Sequence, residues 1–316
     1  MSLGNPLTAR EFCALPDPPQ APELLGPLVR RGSRVTIGGP TGHGKTTLAD
    51  AIAAAIAERG EFLDWRGAGG DVLILDAEQA VRTGKRRLLE AGLAESERVF
   101  YVRAPDGLQL EARQEDIEAL EAVLASRQWA AVIADPIYKL HRGDSNDERH
   151  VTDLMRRFDE WRERFGFAFI TPVHVRKRLQ GASPKLTIDD IHGSGAYTRG
   201  AEVVLGLQRV RPGYSRLYFF KDREGDLPQG EAWGLLFDVD RGFRRDPHDG
   251  DRDTAPDKIR ELVEGEPGIT TEELQSASGY GERTVRDALK AIGAEGAGRP
   301  KRWALPVNGD QPELVP

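Results

Sequence analysis

The stretch Gly39-Pro40-Thr41-Gly42-His43-Gly44-Lys45-Thr46 constrains this 316-residue chain more than any other feature. An apolar run beginning at Ser33 enters it, and an Ala-rich helical pattern leaves it, ended by Gly60. The letters fit G-x-x-x-x-G-K-[ST], and the context fits too, with a strand before and a helix after. Glycines permit a tight loop whose backbone N–H groups approach an anion, and the helix N-terminus adds partial positive charge. The expected phosphate-binding set is Gly39, Pro40, Thr41, Gly42, His43, Gly44, Lys45, Thr46 and Thr47, with His43 a tolerated variable position. In such a loop the lysine, here Lys45, bridges the β- and γ-phosphates of ATP, and the Thr46 hydroxyl ligates Mg²⁺.

From Ser33 onward apolar strands alternate with helical patterns. DVLILDAE, RVFYVRA, WAAVIADP and FAFITPVH are near-continuous apolar runs separated by stretches of helical period. That alternation predicts an α/β fold with a mainly parallel sheet covered on both faces. Three later runs, AEVVLGLQRV, SRLYFFKD and AWGLLFDVD, have short connections and are expected as antiparallel strands at one sheet edge.

A phosphate loop needs a second metal anchor, and Asp135 ends the run AAVIAD where it can reach the Mg²⁺ shell. Pro136 follows, so a water-activating carboxylate cannot come next in the chain. The candidate elsewhere is Glu78, at the end of VLILDAE, where α/β sheets bind ligands. Asp76 competes, because strand alternation puts it on the same face as Glu78.

Composition excludes other classes. A single cysteine, Cys13, leaves no disulfide framework and no thiolate-rich metal site. No apolar run approaches the roughly 18 residues of a membrane span, and the N-terminus lacks a signal-like apolar core, so a cytoplasmic protein is expected. The expected organisation is an N-terminal arm over 1–30 and an ATPase domain over 31–239. A charged linker over 240–256, a small helical unit over 257–306 and a tail over 307–316 follow.

Taken in order, these segments resemble the RecA-like P-loop ATPases, and specifically hexameric replicative helicases of the plasmid RepA type, with the bacterial replicative helicases as a broader relative. The resemblance covers about residues 25–240. It rests on GPTGHGKT, VLILDAEQ, AAVIADPIYKLHRGDSND, FAFITPVHVRK, IHGSGAYTRGAEVVLGLQR and the K-x-R-x-G of Lys221 to Gly225. It implies that Glu78 is the catalytic base and that His174 is the polar sensor of the γ-phosphate. It implies that Lys221 and Arg223 reach across a subunit boundary to the neighbour's ATP. A homo-oligomer, a hexameric ring with active sites between subunits, follows from that implication.

Net charge of -7 disfavours a uniformly basic coat, but the distribution is uneven. Residues 172–223 hold ten Lys and Arg against four acids, as suits a single-stranded DNA backbone in an electrostatic groove. Arg176, Lys177, Arg178 and Lys185 are the candidate contacts there, and Tyr197 is the aromatic nearest that basic run. The C-terminal unit resembles a winged helix, with GERTVRDALKAIG as its recognition helix and Arg283 and Arg286 as candidate DNA contacts. The leading expectation is a motor on single-stranded DNA, a replicative helicase of a plasmid, phage or integrated element. The alternatives are a RecA-like recombinase or recombination mediator and an ATP-switched DNA-binding regulator.

Overall fold

Six-residue and seven-residue runs with almost no polar side chain are buried on both faces, and here they build the middle of a sheet. The computed structural model describes residues 6–17, 19–141, 148–175, 185–191, 195–239, 242–247, 255–298 and 301–305. Two units make up the chain, Met1–Arg245 and Asp246–Pro316.

In the first unit a short helix α1 (Ala9–Cys13) precedes a hairpin of β1 (Glu23–Leu25) and β2 (Val29–Arg30), then β3 (Arg34–Gly39). Helix α2 (Lys45–Glu58) leads through the small strands β4 (Glu61–Phe62) and β5 (Trp65–Arg66) to β6 (Asp71–Asp76). There follow α3 (Val81–Glu90), β7 (Val99–Arg103), α4 (Gln114–Ala125), β8 (Trp129–Asp135), α5 (Glu148–Phe165) and β9 (Ala168–His174). A four-residue helix α6 (Ala196–Arg199) precedes β10 (Val203–Arg211), β11 (Tyr214–Asp222), β12 (Ala232–Asp238) and β13 (Gly242–Arg245).

Nine of these strands form one sheet in the order β13-β12-β11-β10-β3-β9-β8-β6-β7. The neighbours from β10 to β7 pair in parallel. Every residue of β3 and β8 is buried, which is why these segments read as continuous apolar runs rather than alternating ones. One face packs on α2 through Leu48, Ile52 and Ile56; the other packs on α4 and α5 through Leu120, Leu124, Leu154 and Phe158.

Four expectations change. Run AEVVLGLQRV pairs in parallel with β3, Val203 opposite Val35, while β11, β12 and β13 add antiparallel. The long connection from β9 through α6 gives the chain room for a parallel return, which a short hairpin loop does not. Residues 23–30, expected in an arm, bury Leu24, Leu25, Leu28 and Val29 in the core on the α2 face. Strand β13 lies in the expected linker, because Phe243 is buried and packs on Phe237 at 4.8 Å between ring centroids. The left-handed residue that ends α2 is Arg59, φ 55°, one position before Gly60.

The second unit contains α7 (Ala255–Gly265), β14 (Ile269–Thr270), α8 (Thr271–Ser278), α9 (Glu282–Ala291), β15 (Glu295–Ala297) and β16 (Arg302–Ala304). Its strands pair in the order β14-β16-β15. Ile259, Val263, Leu274, Val285 and Leu289 make its core. Thr270, rather than Thr271, caps α8: its hydroxyl accepts from the Glu273 amide, and the Glu273 carboxylate accepts from the Thr270 amide at 2.7 Å. Both bonds satisfy amides that the first helical turn leaves open.

Candidate functional site

Strands β3, β6, β8 and β9 run the same way, so their C-terminal ends bring Gly39, Asp76, Asp135 and His174 to one edge of the sheet. Gly44 sits at φ 90° as the N-cap of α2, a left-handed conformation that favours glycine. A Cβ on Gly39 would lie 2.4 Å from the Leu207 carbonyl, so only glycine lets the loop pass β10.

Lys45 is buried, and its ammonium donates to the carbonyls of Gly39 at 2.8 Å and Pro40 at 2.9 Å. Burial pushes its pKa down to about 8, with Asp135 opposing the shift. The Thr46 hydroxyl donates to Asp135 Oδ2 at 2.6 Å. Burial pushes the Asp135 carboxyl up to about 6, while the Thr46 bond and Arg87 pull it back. His43 Nδ1 accepts from the Arg209 backbone N–H at 2.9 Å, and burial lowers its pKa. This residue is thus a strut between the loop and β10. Beside it a cavity of about 220 Å³ is walled by Thr47, Tyr214, Phe237 and Phe243.

The two competing acids after β6 have different surroundings. Asp76 is buried; it accepts from the Glu78 amide at 2.9 Å and the Gln79 amide at 2.8 Å, and also from the Tyr101 hydroxyl. Glu78 is exposed and accepts from the Tyr138 hydroxyl at 3.1 Å. Asp76 therefore shapes the turn, and Glu78 is the acid that turn presents. The Tyr138 phenol is pushed up to about 12 by burial and by Glu78, so it acts as a donor throughout the neutral range. His174 Nδ1 lies 3.3 Å from the Thr41 hydroxyl and 3.4 Å from the Lys45 ammonium, and its ring centroid lies 5.9 Å from that of Tyr138.

Sequence reasoning did not find Arg87. From α3 its guanidinium clasps Asp50 with two bonds, 3.0 and 2.9 Å, and lies 3.5 Å from Asp76 and 3.9 Å from Asp135. Four cations crowd this helix pattern, and nothing in their spacing singles out Arg87. One hint was legible: the mid-helix glycine Gly84, one turn earlier on the same face, where a Cβ would meet the Tyr101 hydroxyl at 2.8 Å.

Three carboxylates surround the Arg87 guanidinium, with the Lys45 ammonium also acting on Asp135, and Asp50 and Asp76 both push the Asp135 pKa up. With the Thr46 hydroxyl adjacent, this is a set of hard oxygen donors that fits Mg²⁺. Among the described residues no group of three or more His, Cys, Asp or Glu is placed to hold a metal.

Lys221 and Arg223 are elsewhere. Asp222 pairs with Val203, and Val203 with Val35, so the end of β11 lies beside the start of β3. Four residues of strand, about 13 Å, separate that level from Gly39. There Lys221 donates to the carbonyls of Thr198 at 2.9 Å and Arg199 at 3.0 Å, and Arg223 to Arg199 at 2.9 Å. Burial and the nearby Arg223 lower the Lys221 pKa.

Of the expected nucleic-acid contacts, Arg176, Lys177 and Arg178 lie outside the described residues, and Lys185 is exposed. Tyr197 is buried in the core and offers no stacking face. Arg283 and Arg286 are exposed on α9, each with an acid one turn away: Asp287 at 4.0 Å and Glu282 at 2.5 Å.

A sequence family described as AAA domain matches residues 6–180, more than half of the chain. The chain belongs to that AAA domain family. The match takes in the phosphate loop, Glu78, Asp135 and His174, and stops short of Lys221 and Arg223. Among solved structures, the ATPase domain of G40P is similar with a TM-score of 0.51 and 15% identity, over 65% of this chain and 81% of that one. At that identity the likeness speaks for the fold, a P-loop ATPase core with a mainly parallel sheet. No curated protein matches the chain. Among the described residues no helix is long and apolar enough to cross a membrane.

Proposed function

We propose that the chain is an ATP-hydrolysing ring motor that translocates on single-stranded DNA, a replicative helicase of a plasmid, phage or integrated element. The observation that carries this reading is the separation of Lys221 and Arg223 from the phosphate loop of their own chain. In this reading these cations serve the phosphate of a neighbouring copy, and a complete site takes two copies.

In that site Lys45 holds the β- and γ-phosphates, and Thr46 and Asp135 hold Mg²⁺. Bound there, Mg²⁺ supplies charge neutralisation at the phosphates. Glu78 orients a water and takes its proton, and His174, in reach of Thr41 and Lys45, senses the γ-phosphate. Lys221 and Arg223 of the adjoining copy spread the charge that develops on the transferred group. The aromatic-walled cavity beside His43 takes the base. In this reading Lys185 contacts the DNA backbone, with Arg176, Lys177 and Arg178, outside the described residues, as further candidates.

The order helix, strand, two helices and two strands in the second unit supports its reading as a winged helix. In that reading α9 is the recognition helix. Its Arg283 and Arg286 meet phosphates once they leave their acidic neighbours.

The test is the ATPase rate with and without single-stranded DNA, measured alongside the mass in solution. A high-mass species stimulated by DNA is expected, and a fully active, DNA-insensitive monomer overturns the reading. Strand exchange without unwinding would indicate a recombinase or mediator instead. Sequence-specific duplex binding without DNA-stimulated hydrolysis would indicate a regulator.

A further inference from the structure

Glu78 and Tyr138 come from different strand ends, β6 and β8, and each has a backbone that is held firmly. The turn presenting Glu78 is pinned by two amide bonds to Asp76. Tyr138 belongs to a single helical turn, Ile137–Leu140, whose first and last side chains are buried. The far side of that turn is tied down as well: the amides of Leu108 and Leu110 donate to the carbonyls of Lys139 and Leu140 at 3.0 and 3.1 Å. Gly107 lets the strap approach, since a Cβ there would lie 2.6 Å from the Lys139 carbonyl. Between these two anchored backbones the Glu78 side chain is exposed. A glutamate left free in water spreads over many rotamers, and ordering it has an entropic cost.

We propose that Tyr138 is a positioning residue for Glu78, its hydroxyl holding the carboxylate in the one arrangement from which it can act on water. This rests on the reading of Glu78 as the base. The phenol acts through the carboxylate by donating to Oε1, which leaves Oε2 to receive a proton. Its ring also lies against the ring of His174, so the base and the γ-phosphate sensor share one rigid support. A fixed donor placed by packing holds a catalytic group better than a mobile loop does.

Tyr138→Phe keeps the ring and removes only the hydroxyl. The expected result is a fall of about ten-fold in kcat, a part of the effect of a general base, with unchanged KM and unchanged affinity for a fluorescent ATP analogue. The second arm is Tyr138→Phe in a Glu78→Gln background, measured by single-turnover hydrolysis. There the added substitution is expected to do nothing, because the group it positions is already disabled. A wild-type kcat in Tyr138→Phe, or the same fold-loss in both backgrounds, overturns the proposal. A changed nucleotide affinity also overturns it, since that marks a structural role. Full activity in Glu78→Gln alone sinks the base assignment itself, whatever Tyr138→Phe does, so the two failures are told apart.

Discussion

The two ends of the central sheet carry charge clusters of different make-up. At the phosphate-loop end, Asp50, Asp76 and Asp135 gather around Arg87, with exposed Glu78 nearby. At the other end Arg34, Arg162, Lys221 and Arg223 gather around Asp159 and Glu202. Burial and the adjacent Arg162 and Arg223 lower the Arg34 pKa, and burial with the neighbouring Asp76 raises that of Asp50 against the pull of Arg87. The carboxylates at the loop end suit a divalent cation; at the other end Lys221 and Arg223 bond to carbonyls of their own chain. The proposed head-to-tail assembly would bring the second cluster to the phosphate loop of the next copy, and it closes into a ring when the rotation allows.

The largest expected effect tests that pairing. Arg223→Ala should lower ATPase activity by about 10³-fold, the scale of a cation supplied in trans. Mixing it with Glu78→Gln should restore part of the activity, because the intact Glu78 of one copy then meets the intact Arg223 of the other. If the mixture stays as inactive as its components, the two ends do not meet.

Next in size, Glu78→Gln should cost about 10²-fold in kcat while retaining nucleotide binding. Asp76→Asn should instead lower the melting temperature, because it weakens the acceptor of two amides and a phenol. Equal kinetic and thermal behaviour of the two variants would erase the distinction drawn between them.

Third, Arg87→Gln strips the guanidinium from three carboxylates. Breaking such a buried pair costs about 3 kcal/mol, readable in urea unfolding at neutral pH. The loss should shrink in acid, where Asp50 and Asp135, both with raised pKa values, take up protons and no longer need the cation. A loss unchanged by pH would show that packing, not charge, sets the value of Arg87.

The smallest effect is the pH profile of Mg²⁺-nucleotide affinity, a bell with limbs near 6 and 8. Asp135 is raised from 3.8, so the folded chain takes up that proton first as pH falls, and metal-dependent affinity drops below about pH 6. Lys45 is lowered from 10.5, so the folded chain releases that proton first as pH rises. Affinity then falls by about ten-fold per unit above pH 8. Stability moves in the opposite sense on each limb: the cost of a buried Lys45 charge fades between 8 and 10.5, and that of a buried Asp135 charge fades as pH falls from 6 toward 3.8. Fluorescent-nucleotide titrations from pH 5 to 9 read the bell, and Asp135→Asn should remove its acid limb.

The phosphate loop was legible because its parts are contiguous: glycines, lysine and hydroxyl follow one another at a strand–helix junction. Asp135 and Glu78 were legible for a related reason, since each ends an apolar run and parallel strands end on one side. Alternation did not separate Glu78 from Asp76; the structure buries Asp76 and exposes Glu78. Arg87 was hidden, as its three partners sit at positions 50, 76 and 135. Tyr138 was hidden likewise, since its hydroxyl finds Glu78 sixty residues away across the sheet.

The sequence by itself determined the alternation of strand and helix, the loop chemistry and the side of the sheet on which the acids gather. These follow from local periodicity and from the direction of parallel strands. Only the tertiary structure decided which cation each acid meets, that β10 joins in parallel, and that Lys221 and Arg223 stand at the end opposite their own phosphate loop. Those depend on strand register and on contacts between distant segments, and a side chain's charge does not record whom it will face.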